Sequence, residues 1–310
     1  MNTGHWTPRV TRDLLLSKCR YFVETHLWPL ETKLDPNAWL SNFLEEEEPH
    51  ALHLLNHFFY FSKPLVERLF VASITGLSSR VLSSKNAYVR ARSEWRDFIS
   101  SAYFVRVTGE RPSDADSGFL FSRMARQELG ILEAHIAGHE ELLSYLLLDP
   151  DLPVIFVDDF VGSGAQFITM WYRNYPLPDG RVVSFEAHTK NTRRPALYYC
   201  PLICTSHGLG NITTNCRNVN VCPAHVVDDR YNALSAQSIL WSPEFRDSGP
   251  AFILSASQRA GIPDNNGRVN DWRGFRKLGL TIAFEHGTPD ATLPLFYWEQ
   301  NDWKPLVRRT

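Results

Sequence analysis

The stretch "PVIFVDDFVGSGAQ", Pro153 to Gln166, constrains this chain more than any other. Val154 to Val157 form a short apolar run that stops on two adjacent acids, Asp158 and Asp159. Gly162, Ser163 and Gly164 make a turn, and the residues from about Ala165 to Tyr172 suit a helix. An apolar run bounded by turn residues reads as a buried strand. Open α/β sheets bind ligands at the carboxyl ends of their strands, so both aspartates are expected as exposed carboxylates at the lip of a sheet. The turn leads into a helix N-terminus, whose N–H groups favour an anion, usually phosphate. Carboxylates beside a phosphate cradle make sense for a sugar phosphate: the acids accept from sugar hydroxyls and the turn holds the phosphate. A Gly-rich turn with no ligand is the plain alternative. The Gly-Lys-Ser/Thr of a Walker loop and the dinucleotide fingerprint are both absent.

The rest of the chain supplies the layers around that strand. The first hundred residues read as helical. Asp35-Pro36 is a helix start, a further helix starts near Pro49, and Pro64 restarts the pattern. Tyr88 to Ile99 continues it. From Tyr103 the character changes. Tyr103 to Val107, "ALYYCPLIC", "NVNVCPAHVV", "LGLTIAF" and "LPLFYW" are β-type runs, alternating with helical stretches such as "FLFSRMARQEL". This alternation predicts an α/β fold with a mostly parallel sheet. A helical N-terminal region over residues 1–100 precedes an α/β domain over residues 101–310. Residues 257–274 are the best candidate for a mobile loop.

Composition excludes whole classes. With 44% hydrophobic and 21% charged residues, global disorder is not expected. A net charge of -2 lacks the basic excess of a strong non-specific nucleic-acid binder. No apolar run is long enough to span a bilayer and no signal peptide is evident, so a cytoplasmic protein without a membrane partner is expected. The five cysteines read as reduced core residues.

The ordered elements of "VIFVDDFVGSGAQ" resemble the signature of type I phosphoribosyltransferases. The resemblance implies that Asp158 and Asp159 hold the ribose hydroxyls, and that Gly162, Ser163, Gly164, Ala165 and Gln166 form the 5-phosphate loop. Ala165 and Gln166 depart from that pattern, which has Gly and a final Thr there. The family also needs a pyrophosphate site after an earlier strand, where "VTGERPSDADSG" stands. Ser117 and Gly118 would supply donors, with Arg123 and Arg126 one turn apart on the following helix. Those arginines are equally consistent with surface ion pairs. Glu110 either pairs with one of them or faces the ribose. Mg²⁺, bridged through substrate oxygens, is the implied cofactor, with no metal held by protein ligands alone.

The order of "GERPSDADSG", "VDDFVGSGAQ", "YYCPLICTSHG", "CPAHV" and "HGTPDATLPLFYW" is similar to that in phosphoribosyltransferase-like effectors of bacterial conflict systems, some encoded beside retron reverse transcriptases. This resemblance implies a toxin-like antiphage effector acting on phosphoribosyl pyrophosphate or a nucleotide. It also implies a reverse transcriptase and its RNA–DNA hybrid as partners. The catalytically inactive alternative is a nucleotide-sensing or docking module. His286 is a candidate general acid/base, or a structural histidine fixing the Thr-Pro turn. His50, His53 and His57 share one helix face, and read as surface residues before they read as zinc ligands. Residues 72–96, rich in arginine, allow a nucleic-acid contact or an ordinary basic helical face.

Overall fold

The computed structural model describes residues 10–30, 32–82, 87–108, 118–190, 192 and 196–309. The chain forms two compact units, residues 66–227 and, discontinuously, residues 1–65 with 228–310. The line drawn at residue 100 does not coincide with this division. The reason is packing. Phe98 meets Tyr198 edge-on at 5.5 Å, so the helix that carries Phe98 packs with the sheet, while residues 1–65 belong to the other unit.

In the discontinuous unit, α1 (Arg12–Glu24), α2 (Pro36–Leu40) and α3 (Glu48–Asn56) lead to β1 (Phe59–Phe61). Asp35 caps α2 by accepting from Ala38 N at 2.9 Å, with Pro36 at the first helical position. α3 ends at Asn56, and Phe59, within the stretch read as helical, lies in β1. In the continuous unit come α4 (Lys63–Gly76, which starts in the preceding segment), α5 (Ser78–Val81), α6 (Tyr88–Ser101), β2 (Tyr103–Arg106), α7 (Gly118–Leu129), α8 (His139–Leu148) and β3 (Val154–Val161). They are followed by α9 (Ala165–Tyr172), the hairpin β4 (Tyr175–Pro176) and β5 (Val182–Val183), α10 (Phe185–Lys190), β6 (Leu197–Thr205), α11 (Ser206–Asn215), β7 (Asn220–Val221) and β8 (His225–Val227). The chain then returns to the first unit with α12 (Gly249–Arg259) and β9 (Ile282–Phe284).

The fold is α/β with a parallel central sheet. Its strand order is β2-β3-β6-β7, with β8 also on β6. All four pairings are parallel. β7 and β8 share one side of β6, and Pro201 sits at their junction. Its carbonyl accepts from Ala224 N at 3.0 Å, and its ring has no N–H to give to that side. β3 is interior to the sheet and its apolar half is buried on both faces. That burial explains the continuous apolar run. Phe156, Phe167, Trp171, Phe185 and Tyr199 form the aromatic centre of the core beneath it.

The other unit has its own core, in which β1 pairs in parallel with β9. Trp39 is fully buried, stacks on Phe296 at 5.2 Å and donates Nε1–H to Leu295 O at 2.7 Å. "LPLFYW" is not a strand. Pro294 opens a single tight turn, and both Tyr297 N and Trp298 N donate back to its carbonyl. The segment read as a mobile loop is tied down by Asp271, which accepts from Gly267 N and from Arg273 N and Nε. The histidines on α3 are half-buried rather than on the surface. The His50 ring stacks on Phe252 at 5.1 Å and His53 lies 4.8 Å from Phe245. Apolar rings cover the face that the spacing alone left open.

Candidate active site

The pairing of β3 with β2 reaches Val157↔Arg106, and Val107 N donates to Val157 O at 3.1 Å. One step further the acids take over the backbone donors. Asp158 Oδ1 accepts from Asp159 N at 3.0 Å, and Asp159 Oδ1 accepts from Phe160 N at 2.7 Å. The strand thus carries its acids where its pairing with β2 ends, while its pairing with β6 continues through Phe160↔Ile203 and Val161↔Cys204.

The two aspartates are not equivalent, and the expectation of two exposed carboxylates needs correcting. Asp158 is only 7% exposed, and Tyr199 O–H donates to its Oδ2 at 2.7 Å. Burial, and then the adjacent Asp159 carboxyl, push Asp158 well above the ordinary carboxylate range. Burial and Asp158 likewise push the Tyr199 phenol well above its usual value. The Tyr199 ring stacks on Phe167 at 4.0 Å, so the hydroxyl is held rigidly. The physical reason for the difference is strand alternation: Asp158 shares the core-facing side with Val154 and Phe156. Asp159 is half-buried and is the acid nearer to solvent.

The turn after the strand is pinned by α11. Gly164 has φ +76°, the left-handed region, and a Cβ there would lie 2.8 Å from Ile212 Cγ1. Thr205 caps α11 by accepting from Gly208 N at 2.9 Å, and its hydroxyl donates to the carbonyl of Gly162. Asn211 Nδ2 donates to the carbonyl of Ser163 at 3.0 Å. A Cβ on Gly208 would lie 2.5 Å from Gly162 O. The carbonyls of Gly162 and Ser163 are therefore engaged by α11 and its cap, Gly164 O accepts from Ile168 N, and Ala165 N donates to Ser163 Oγ at 3.4 Å. The N–H groups of a turn that opens a helix are the kind that favour an anion. Ala165 and Gln166 are exposed at the start of α9.

The other candidates divide. Glu110 and Ser117 lie outside the described residues. Gly118 opens α7, which carries Arg123 and Arg126. Arg126 is paired with Glu133 at 2.5 Å, the surface ion pair that was the alternative for it. Arg123 is exposed. His286 belongs to the other unit, with its ring 5.3 Å from Phe284. Among the described residues no group of three His, Cys, Asp or Glu has the placement to hold a metal ion, and no helix is long and apolar enough to cross a membrane. A cavity of about 400 Å³ bordered by Arg92, Trp95 and Arg96 includes none of the acidic pair or its turn.

Sequence reasoning missed Tyr199, Thr205, Gly208, Asn211 and Arg173. Arg173 Nη1 reaches Thr108 Oγ1 at 3.3 Å, just beyond β2. Only the Thr205 to Gly208 cap carried a local signal, a Thr followed three residues later by a helical glycine.

Strand, acidic pair, left-handed glycine and pinned turn occur together on one sheet edge. The PRTase-CE family profile matches residues 36–309, which takes in the whole site. No curated protein matches the chain. On the breadth of that match the chain belongs to the PRTase-CE family, a phosphoribosyltransferase-like family.

Proposed function

We propose that the protein binds a ribose 5-phosphate compound, phosphoribosyl pyrophosphate or a nucleotide, at the carboxyl end of β3 and breaks or transfers its glycosyl bond. The observation that carries this reading is the turn Gly162 to Gly164 at the end of β3, whose Gly162 and Ser163 carbonyls are tied to α11 and its cap; its amides would take the phosphate. Asp159 would accept from a ribose hydroxyl. Asp158, held by Tyr199, would set the position of Asp159 through the bond from Asp159 N. In the reaction, the bond from the anomeric carbon to pyrophosphate or a base breaks and the leaving group takes the electron pair. An acceptor or water closes on the oxocarbenium-like carbon and gives up its proton.

Asp159 is one half-buried carboxylate, too few ligands for a protein-held Mg²⁺. The residues fit a Mg²⁺ that arrives on the substrate's phosphate oxygens, where it would neutralise departing charge. In the cell, the reading is of a toxin-like effector of an antiphage system such as a retron, partnered by a reverse transcriptase and its RNA–DNA hybrid. The motif order described above supports that setting. The neighbouring genes test it, and a locus without a reverse transcriptase and noncoding RNA would remove the retron setting.

The binding-module reading has one observation in its favour: Asp158 is spent on Tyr199 rather than turned to a ligand. Calorimetry with phosphoribosyl pyrophosphate, beside a metabolite assay of expressing cells, separates the two. Binding with product formation is expected, and binding without product would establish the module. Asp159→Asn is expected to weaken binding of phosphoribosyl pyrophosphate roughly 10- to 100-fold, the loss of a charged hydrogen bond, with an unchanged melting temperature. A variant that binds as the wild type does would remove Asp159 from the site.

A further inference from the structure

Asn211 links the phosphate turn to a histidine that the acidic signature does not contain. Its Nδ2 donates to Ser163 O at 3.0 Å and lies 3.1 Å from His207 Nε2. A backbone carbonyl only accepts, so the amide atom facing Ser163 must be the NH₂. The same nitrogen faces His207, and it only donates. His207 Nε2 is therefore the acceptor, and the neutral ring carries its proton on Nδ1. One amide group, with two hydrogens, thus sets both the turn and the tautomer.

His207 is exposed in the first turn of α11, two residues beyond Thr205, whose hydroxyl holds Gly162. Here the turn ends in Ala165-Gln166 and brings no hydroxyl of its own after Ser163. We propose that His207 is a phosphate-binding residue, donating Nδ1–H to the phosphate of the bound sugar, with Asn211 as its positioning residue. This rests on the ribose-phosphate reading above. The donor comes from the helix that follows β6, the strand next to β3, and it would compensate for the hydroxyl that the turn lacks.

The test uses the full chain and ribose 5-phosphate as the probe. Nitrogen-15 histidine spectra are expected to show His207 protonated on Nδ1, with that resonance moving as ribose 5-phosphate is added. His207→Asn places an amide nitrogen near the Nδ1 position, while His207→Gln extends its amide toward the Nε2 position. The Asn variant should bind close to wild-type strength, and the Gln and Phe variants roughly tenfold or more weakly. Asn211→Asp cannot donate to either partner. It should lose the Nδ1 tautomer and bind as weakly as His207→Phe. A ring protonated on Nε2 in the wild type would overturn this inference alone. So would His207→Phe binding at wild-type strength, and both results leave the ribose-phosphate reading standing. A wild type that shows no binding of ribose 5-phosphate would overturn that reading, and this inference with it.

Discussion

Gly208→Ala is expected to lower affinity for ribose 5-phosphate roughly 100-fold while costing little stability. The added Cβ would lie 2.5 Å from Gly162 O and 2.8 Å from Val161 Cγ1. The first neighbour is backbone, so the turn after β3 must itself move. Misplacement by about 1 Å is enough for a loss of that size. Overpacking costs about 1–3 kcal/mol, and replacing a helical glycine returns about 1 kcal/mol of it. The melting temperature should therefore fall only slightly. Gly210→Ala is the control. It lies on the same helix, and a methyl group added there would meet nothing within 4 Å, so binding should be unchanged and stability slightly raised. Calorimetry and thermal melts on the two variants decide this. Equal binding by both would mean that α11 does not set the turn.

Tyr199→Ala is expected to be the most destabilising substitution near the site. The ring is fully buried and stacked on Phe167, so the truncation costs about 3–5 kcal/mol. Tyr199→Phe keeps the ring and removes only the hydroxyl. It leaves the Asp158 Oδ2 bond unmade in a buried place, at about 1–3 kcal/mol. Asp158→Asn should retain the fold, because it keeps the shape and can still meet both Tyr199 and Asp159 N.

The pH dependence has a definite sign. Asp158 is raised above its unfolded value, so over that interval the folded state holds a proton that the unfolded state has released. Wild-type stability therefore falls as pH rises above the ordinary carboxylate value of about 4, until the folded group has also ionised. Asp158→Asn removes this loss, so its advantage over wild type should grow with pH across that window. Denaturant melts at several pH values measure it. A constant difference between the two proteins would mean that Asp158 ionises normally.

The strand, its acids, the turn and α9 were legible because each is a local pattern, and β2 and β9 were found for the same reason. The burial of Asp158 was not. When a parallel strand is covered on both faces, apolar residues stand at every position and period-two alternation disappears. Which acid faces the core then depends on the register Val157↔Cys200, which brings Tyr199 beside Asp158 from 41 residues away. The pinning of the turn by Asn211 depends on a contact 48 residues apart. The two-unit division was hidden for the same physical reason, since residues 1–65 acquire their core from residues 228–310.

That division also sets a clock. Phe59 pairs with Ile282, and the strand that receives β1 is not yet made when β1 leaves the ribosome. At about 5–20 residues per second, the wait is on the order of 11–45 s. During that time Trp39, Leu54 and Leu55 lack the Phe296 side of their core. The sheet unit, residues 66–227, is continuous and has no such wait. A nascent chain thus completes the sheet edge that carries Asp158 and Asp159 while its first three helices still lack the C-terminal part of their core.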